Sequence, residues 1–333
     1  MKNTSPGIGN GEQVTRQSAV GRPKFRLLFA GHKERGRLCL EALAKEGWSI
    51  VGVLAHPGSD APGTVTDWAR SQNVSLLAPM NVNTPEVAEK LRSLGPDLIV
   101  MAGYGKILHK EILSIPPRGI LNLHGGRLPD YRGSSPMNWA LLRGEKSFGI
   151  SIVEVDEGID TGAVLGEHDF PIGGNDTIAD LQARANEAFP GLLVRVVRSL
   201  ESGQVRRRVQ IEKKARYFPL RFPEDGLVLW DRLDARDVHN RVRALTDPYP
   251  NAFTFLGKRR VRIRRSELTS RPYFGEPGRV YANTGKAILV CARDHCLWIT
   301  DAIFADEPDR PIWPAVKKYI TFATLQGMFL GSL

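Results

Sequence analysis

Three residues in one stretch of this chain carry side chains that can do chemistry together. Asn122 and His124 close the apolar run GILNLH (119–124), and Asp160 follows 36 residues after the histidine in the segment DEGIDTG (156–162). In an extended strand, residues two apart share a face, so Asn122 and His124 present to one pocket. An amide can donate to a developing oxyanion, and an imidazole can shuttle a proton near neutral pH. A carboxylate such as Asp160 can orient that imidazole or hold a water against it. Cys39, Cys291 and Cys296 fit no metal spacing, so the set points to acyl-type chemistry without a metal. The bland reading of the same residues is a satisfied strand end and a turn aspartate. The surrounding chain separates the two.

The elements that must position these residues read as an α/β domain. FRLLFAG (25–31), WSIVGVLAH (48–56), PDLIVMAGYG (96–105) and GILNLHG (119–125) are apolar runs of the kind buried in a parallel sheet. Between them lie helical segments. One is TPEVAEKLRSLG, with Thr84 as N-cap, Pro85 at the first helical position and Gly95 after the end. Alternating strands and helices argue a mostly parallel sheet, whose ligands sit outside the carboxyl ends of the strands. Asn122, His124, residues 103–105 and the Gly31-His32 turn all fall at those ends. FAGHKERG lacks the G-x-G-x-x-G spacing of a dinucleotide fold, and no GxxxxGK[ST] phosphate loop is present. SFGISIVEVD and AVLGEHDFPI form a strand pair, and residues 177–203 one long amphipathic helix stopped at Gly203.

The chain of 333 residues is long enough for two domains. Residues 1–24 are polar and Gly-rich, without the apolar core of a secretory signal, and read as a mobile tail. Residues 25–203 form the catalytic domain and 204–225 a basic, Pro-containing linker. Residues 226–333 hold a helix and short alternating strands that suit a small OB-like barrel. Apolar content of 42% and charged content of 25% fit a soluble protein, and no apolar run approaches the ~20 residues of a membrane span. Three cysteines imply a reducing, cytoplasmic setting and no structural disulfide. The net charge of +10 favours an anionic partner such as phosphate, nucleotide, folate or nucleic acid, or else marks a basic solvated surface.

The stretch NLHGGRLPDYRGSSPMNWAL followed by DEGIDTG resembles the folate-dependent formyltransferases. Their pattern is N-x-H-x-S-L-L-P-x-[YW]-R-G with an aspartate in a D-x-G-x-D-[TA]-G loop. Gly126 and Arg127 stand here where Ser-Leu is usual. The resemblance extends from about residue 25 over nearly the whole chain, and implies a Rossmann-like formyltransferase domain followed by the OB-like one. It implies Asn122, His124 and Asp160 as the catalytic triad and 10-formyltetrahydrofolate as the donor, with no metal. Asn122 and a protonated His124 would stabilise the oxyanion, with Asp160 balancing the imidazolium. The folate would lie between Met101, Gly103, Tyr104, Gly105, Ile107 and Leu108 on one side and Val155, Asp156, Glu157 and Gly158 on the other. The glycines would allow close approach of backbone to ring.

Finer likeness bears on the acceptor. APMNVNTPEV, PDYRGSSPMNWAL, RYFPLRFPEDGLVLW and VHNRVRALTDPYPNAF are similar to the formyltransferase domain acting on UDP-4-amino-4-deoxyarabinose. This implies a small amine, nucleotide-linked, as partner, with His32, Arg132 and Gly133 as candidate acceptor contacts; for Arg132 the other reading is an ion pair fixing the loop. The alternatives within the family are methionyl-tRNA and hydroxyornithine. Methionyl-tRNA enzymes carry a basic insertion after the second strand, whereas no Lys or Arg lies between His56 and Asp67 here; RRRVQIEKKAR and GKRRVRIRR keep tRNA open. Outside the family, a nucleic-acid-binding protein using the basic C-terminal strands and a hydrolase releasing formate are the competing readings. No membrane partner is expected, and an oligomer is compatible with the sequence.

Overall fold

Continuous apolar runs become strands covered on both faces, and this places the loops that follow them at one edge of a sheet. The computed structural model describes residues 24–58 and 62–325; the expected tail lies outside them but for Lys24. The elements run β1 (Arg26–Gly31), α1 (Lys33–Lys45), β2 (Ser49–Leu54), α2 (Val65–Ser71), β3 (Leu76–Leu77), α3 (Pro85–Ser93), β4 (Leu98–Ala102), α4 (Lys110–Leu113) and β5 (Ile120–His124). There follow β6 (Arg132–Gly133), α5 (Pro136–Leu142), β7 (Ser147–Glu154), β8 (Val164–Pro171) and α6 (Ile178–Ser202). One sheet of seven strands has the order β3-β2-β1-β4-β5-β7-β8. The first five strands of that order are mutually parallel, and β7 and β8 are antiparallel additions.

The side-chain period of two splits the strand residues between two cores. Leu27 and Phe29 of β1 join Leu40 and Leu43 of α1 and Phe189 and Leu193 of α6 on one face. Leu28 and Ala30 join Ala88 and Leu91 of α3 and Ile112 of α4 on the other. The helix ends are fixed by local chemistry. Thr84 accepts from the Val87 N–H with Pro85 behind it, and Thr177 and Asp180 form a capping box for α6, which Gly203 ends at φ 73°.

The second part comprises β9 (Tyr217–Phe218), α7 (Ala235–Leu245), β10 (Ala252–Leu256), β11 (Arg259–Leu268), β12 (Val280–Asn283), β13 (Ile288–Cys291), β14 (Cys296–Phe304) and β15 (Glu307–Pro311). Its six-stranded antiparallel sheet runs β10-β11-β14-β13-β12, with β15 paired to β14. Among the described residues no pairing joins β10 to β12, so the expected barrel is present as an open antiparallel sheet. Its core gathers Trp230, Val238, Val242, Ile263 and Ile299, and the Trp230 indole N–H donates to Thr254 Oγ1 at 3.0 Å. Cys291 and Cys296 are register partners across the β13–β14 hairpin and are joined as a disulfide. This corrects the expectation of none. An odd count of cysteines conceals a pair that the hairpin turn sets face to face.

Helix α7 seats this part on the first. Asn138 Nδ2 donates to Ala244 O at 2.8 Å, Arg243 Nη1 donates to Asp176 O at 3.1 Å, and the buried His239 bridges Gly174 O and Ser266 Oγ, each at 3.0 Å. Burial lowers the pKa of His239, so the folded state holds it neutral while the unfolded chain takes a proton near its ordinary value of about 6.5. The unfolded state therefore binds more protons as pH falls through that value, and stability declines with it. We expect the melting temperature to drop between pH 7.5 and 5.5, and the drop to be smaller in His239→Gln, measured by calorimetry on both proteins. An equal drop in both would place the pH dependence elsewhere.

Candidate active site

The catalytic candidates meet because β5 pairs with β7. Asn122 stands opposite Val153, and His124 opposite Ser151. The β7–β8 connection then carries Asp160 back over the carboxyl end of β5. Asn122 Nδ2 donates to Asp160 Oδ1 at 3.4 Å, and His124 Nδ1 lies 3.4 Å from Asp160 Oδ2. The Gly133 N–H donates to the same Oδ2 at 2.9 Å. Both carboxylate oxygens are thus committed, and the side chains of His124 and Asp160 are 6% and 11% exposed. Asp160 has φ 54°, a left-handed conformation that a non-glycine residue adopts at a cost of roughly 1–3 kcal/mol and that concentrates at functional sites.

The other imidazole nitrogen settles the proton arrangement. His124 Nε2 is 2.5 Å from the Tyr131 carbonyl oxygen. A carbonyl only accepts, so the contact assigns the hydrogen to Nε2 and leaves Nδ1 facing Asp160. The packing here fits glycine at 126: a Cβ would lie 2.8 Å from His124 Nε2 and 2.8 Å from Tyr131 O. Arg127, the second departure from the motif, pairs with Asp169 at 2.8 Å on the surface.

Beside the triad opens a cavity of about 880 Å³, in the size range of small-molecule sites. Asn122 and Asp160 reach it, and so do Met101, Tyr104, Gly105, Ile107, Leu108, Val155, Asp156, Glu157 and Gly158. Gly103 sits off its wall and turns the chain at φ 74°. A Cβ on Gly105 would project into open space. The hydroxyl of Tyr104 is buried there without a hydrogen-bond partner, and burial pushes its pKa up to about 12. Ile107, Ile159 and Leu220 line the cavity while remaining 70%, 55% and 60% exposed, an apolar rim suited to a flat aromatic ligand. Tyr217–Leu220 also line the cavity, in the stretch expected to be linker, where the run RYFPLRFP is the available signal.

The expected acceptor contacts fall differently. Gly133 lines the cavity and spends its N–H on Asp160. Arg132 is fully buried and does not reach the cavity. Its Nη1 donates to both oxygens of Glu212, at 3.0 and 2.9 Å, and to Tyr217 Oη at 2.6 Å, which corrects its reading as a substrate contact in favour of a loop-fixing ion pair. His32 stands edge-on to His56 at 5.0 Å, and His56 stacks on Tyr104 at 4.8 Å. Burial lowers the pKa of both histidines.

A family model described as formyl transferase matches residues 26–197, and one described as formyl transferase, C-terminal domain, matches residues 222–311. The chain belongs to the formyl transferase family. The methionyl-tRNA formyltransferase of Ruminiclostridium cellulolyticum is 32% identical over 292 residues, covering 84% of this chain and 92% of that protein. The methionyl-tRNA formyltransferase of Acetivibrio thermocellus is 36% identical over 276 residues, covering 80% and 88%. Among solved structures, an N-formyltransferase from Helicobacter canadensis in complex with folinic acid and dTDP-3-aminofucose has a TM-score of 0.67 at 19% identity, covering 84% of this chain and 100% of that one; at that identity the likeness is one of fold.

The protein is a folate-dependent formyltransferase, and 10-formyltetrahydrofolate supplies the formyl group when bound. Among the described residues no group of three His, Cys, Asp or Glu can hold a metal ion, and no helix is long and apolar enough to cross a membrane. We expect His124→Ala to lower kcat by at least about a hundredfold, the smaller end of general acid–base contributions, with affinity for 5-formyltetrahydrofolate kept within about threefold. Tetrahydrofolate release and calorimetric titration measure the two. Retained turnover would remove His124 from the reaction.

Proposed function

We propose that this enzyme moves the formyl group of 10-formyltetrahydrofolate to the amine of a methionyl-tRNA, with Asn122, His124 and Asp160 as its catalytic residues. The donor rests between the segments 101–108 and 153–160. Asn122 Nδ2 donates to the formyl oxygen as charge develops there. His124 moves a proton at Nδ1, Asp160 holds the imidazole in place, and the apolar rim limits water. The observation that carries the acceptor is the relatives: those at 32% and 36% identity over four-fifths of this chain are methionyl-tRNA formyltransferases.

The neutral segment after β2 argued for a smaller acceptor, and cations offered elsewhere answer it. Lys213 and Lys214 are exposed, directly after the Glu212 that pairs with Arg132. On β10 and β11, Arg262 stands opposite Phe253 and Arg260 opposite Phe255, with Arg260 over the Phe253 ring at 3.7 Å. Interleaved cations and rings of this kind suit a nucleic-acid backbone.

A nucleotide-linked amino sugar is the second reading. It is favoured by the absence of Lys and Arg between His56 and Asp67, where a tRNA backbone would be met, and by the motif likeness set out above. One assay separates them. Methionyl-tRNA should support tetrahydrofolate release, with a KM that rises as salt is added and rises about tenfold in Arg262→Glu. Turnover of a UDP- or dTDP-linked amino sugar alone, unmoved by that substitution, would establish the second reading instead.

A further inference from the structure

The segment between the two family matches is woven into the catalytic site. The N–H of Val164 donates to Arg208 O and that of Arg208 to Val164 O, each at 2.9 Å, which pins the segment to the start of β8. Two residues on, Gln210 is 9% exposed and its amide nitrogen donates to Asp160 O and to Gly162 O, both at 2.7 Å. Its amide oxygen accepts from Arg132 Nε at 3.1 Å. Both amide hydrogens of this side chain are therefore used, and their two acceptors are the carbonyls of Asp160 itself and of a residue two further on.

A second path converges on the same carboxylate. β9 pairs in parallel with β6, and a Cβ on Gly133 would come within 2.4 Å of Phe218 O. Gly133, at φ 92°, is thus seated directly on the returning strand while its N–H holds Asp160 Oδ2. Arg132 joins the two paths, through Gln210 on one side and Glu212 and Tyr217 on the other.

We infer that Gln210 is a positioning residue of the formyl-transfer site: through the Asp160 and Gly162 carbonyls it holds Asp160 in its left-handed conformation, between Asn122 and His124. The physical need is specific. The carboxylate stands 3.4 Å from each of its two catalytic partners, a separation with little slack. Displacements of about an ångström at such groups cost about a hundredfold in rate. The backbone of a non-glycine residue at positive φ relaxes toward the common regions unless something holds it.

The inference rests on the role given to Asp160, so both residues are tested in the full-length enzyme with whichever acceptor turns over. Gln210→Glu keeps the length and the oxygen facing Arg132 but replaces the donor with an oxygen that meets two carbonyls. Its kcat should fall about ten- to a hundredfold, while the Kd for 5-formyltetrahydrofolate stays within about twofold and the KM for the acceptor within about threefold. Asp160→Asn, run in parallel, should lose at least as much. If Asp160→Asn fails to turn over and Gln210→Glu keeps kcat within threefold of the parent, the inference about Gln210 falls alone. If Asp160→Asn retains activity, the reading of the site falls with it. A loss of folate affinity matching the loss of kcat in Gln210→Glu would assign Gln210 a packing role and overturn its role toward Asp160. Should Gln210→Glu not fold, Gln210→Met, with neither donor nor acceptor, carries the same expected split between kcat and Kd.

Discussion

The site depends on one carboxylate held at a fixed place. Asp160 lies on a loop with left-handed backbone, carries charge, and is almost wholly withdrawn from solvent. Each of these is unfavourable alone. A buried carboxylate needs donors in return for the water it loses, and here they are the Gly133 N–H and the Asn122 amide, with His124 Nδ1 3.4 Å away. The arrangement is reciprocal. Asn122 and His124, proposed here as catalytic, are the side chains that meet Asp160, so the electrostatics that hold the loop also orient them.

The seven-stranded sheet exists, for this purpose, to bring distant segments to one edge. β4 and β5 are adjacent and parallel, which sets Met101–Leu108 beside Asn122. The switch to antiparallel pairing at β5–β7 places Val153–Asp160 on the other side of the same edge. The cavity between them follows from strand order. The segment after α6 then lines that cavity with Tyr217–Leu220, so the route from the first core to the second runs across the candidate site rather than away from it.

This is also where sequence and structure part. The strands of the first core were legible because burial on both faces writes a continuous apolar run, and the α3 and α6 ends were legible because Thr84, Pro85, Thr177 and Gly203 act locally. The meeting of Asn122, His124 and Asp160 was legible because strand period fixes the first two on one face and a multi-part motif supplies the third. Contacts made across long separations leave no such trace. Gln210 lies 50 residues from the carbonyl of Asp160 it holds, in a stretch whose composition reads as linker. Arg132 sits beside a motif glycine, and only the fold reveals that its guanidinium turns inward to Glu212. The Cys291–Cys296 pair was hidden by an odd count, and the open sheet by alternation that open and closed antiparallel sheets share.

The acceptor is the least legible part of the function. Donor binding uses backbone and apolar area, which sequence specifies through glycines and apolar runs. Acceptor choice between a polyanion and a single nucleotide depends on which exposed cations are free. Many here are not: Arg207, Arg208, Arg259 and Arg264 are paired with Glu154, Glu167, Asp306 and Asp301. Exposed pairs of this sort contribute little to stability, about 0–1 kcal/mol, yet each cancels a charge that a phosphate would otherwise meet. The net charge of +10 already subtracts these pairs, and does not say where the remaining cations lie. Among the described residues Arg262, opposite Phe253 on β11, and the exposed lysines at 213 and 214 have no such ion pair, and neither composition nor motif specifies their positions.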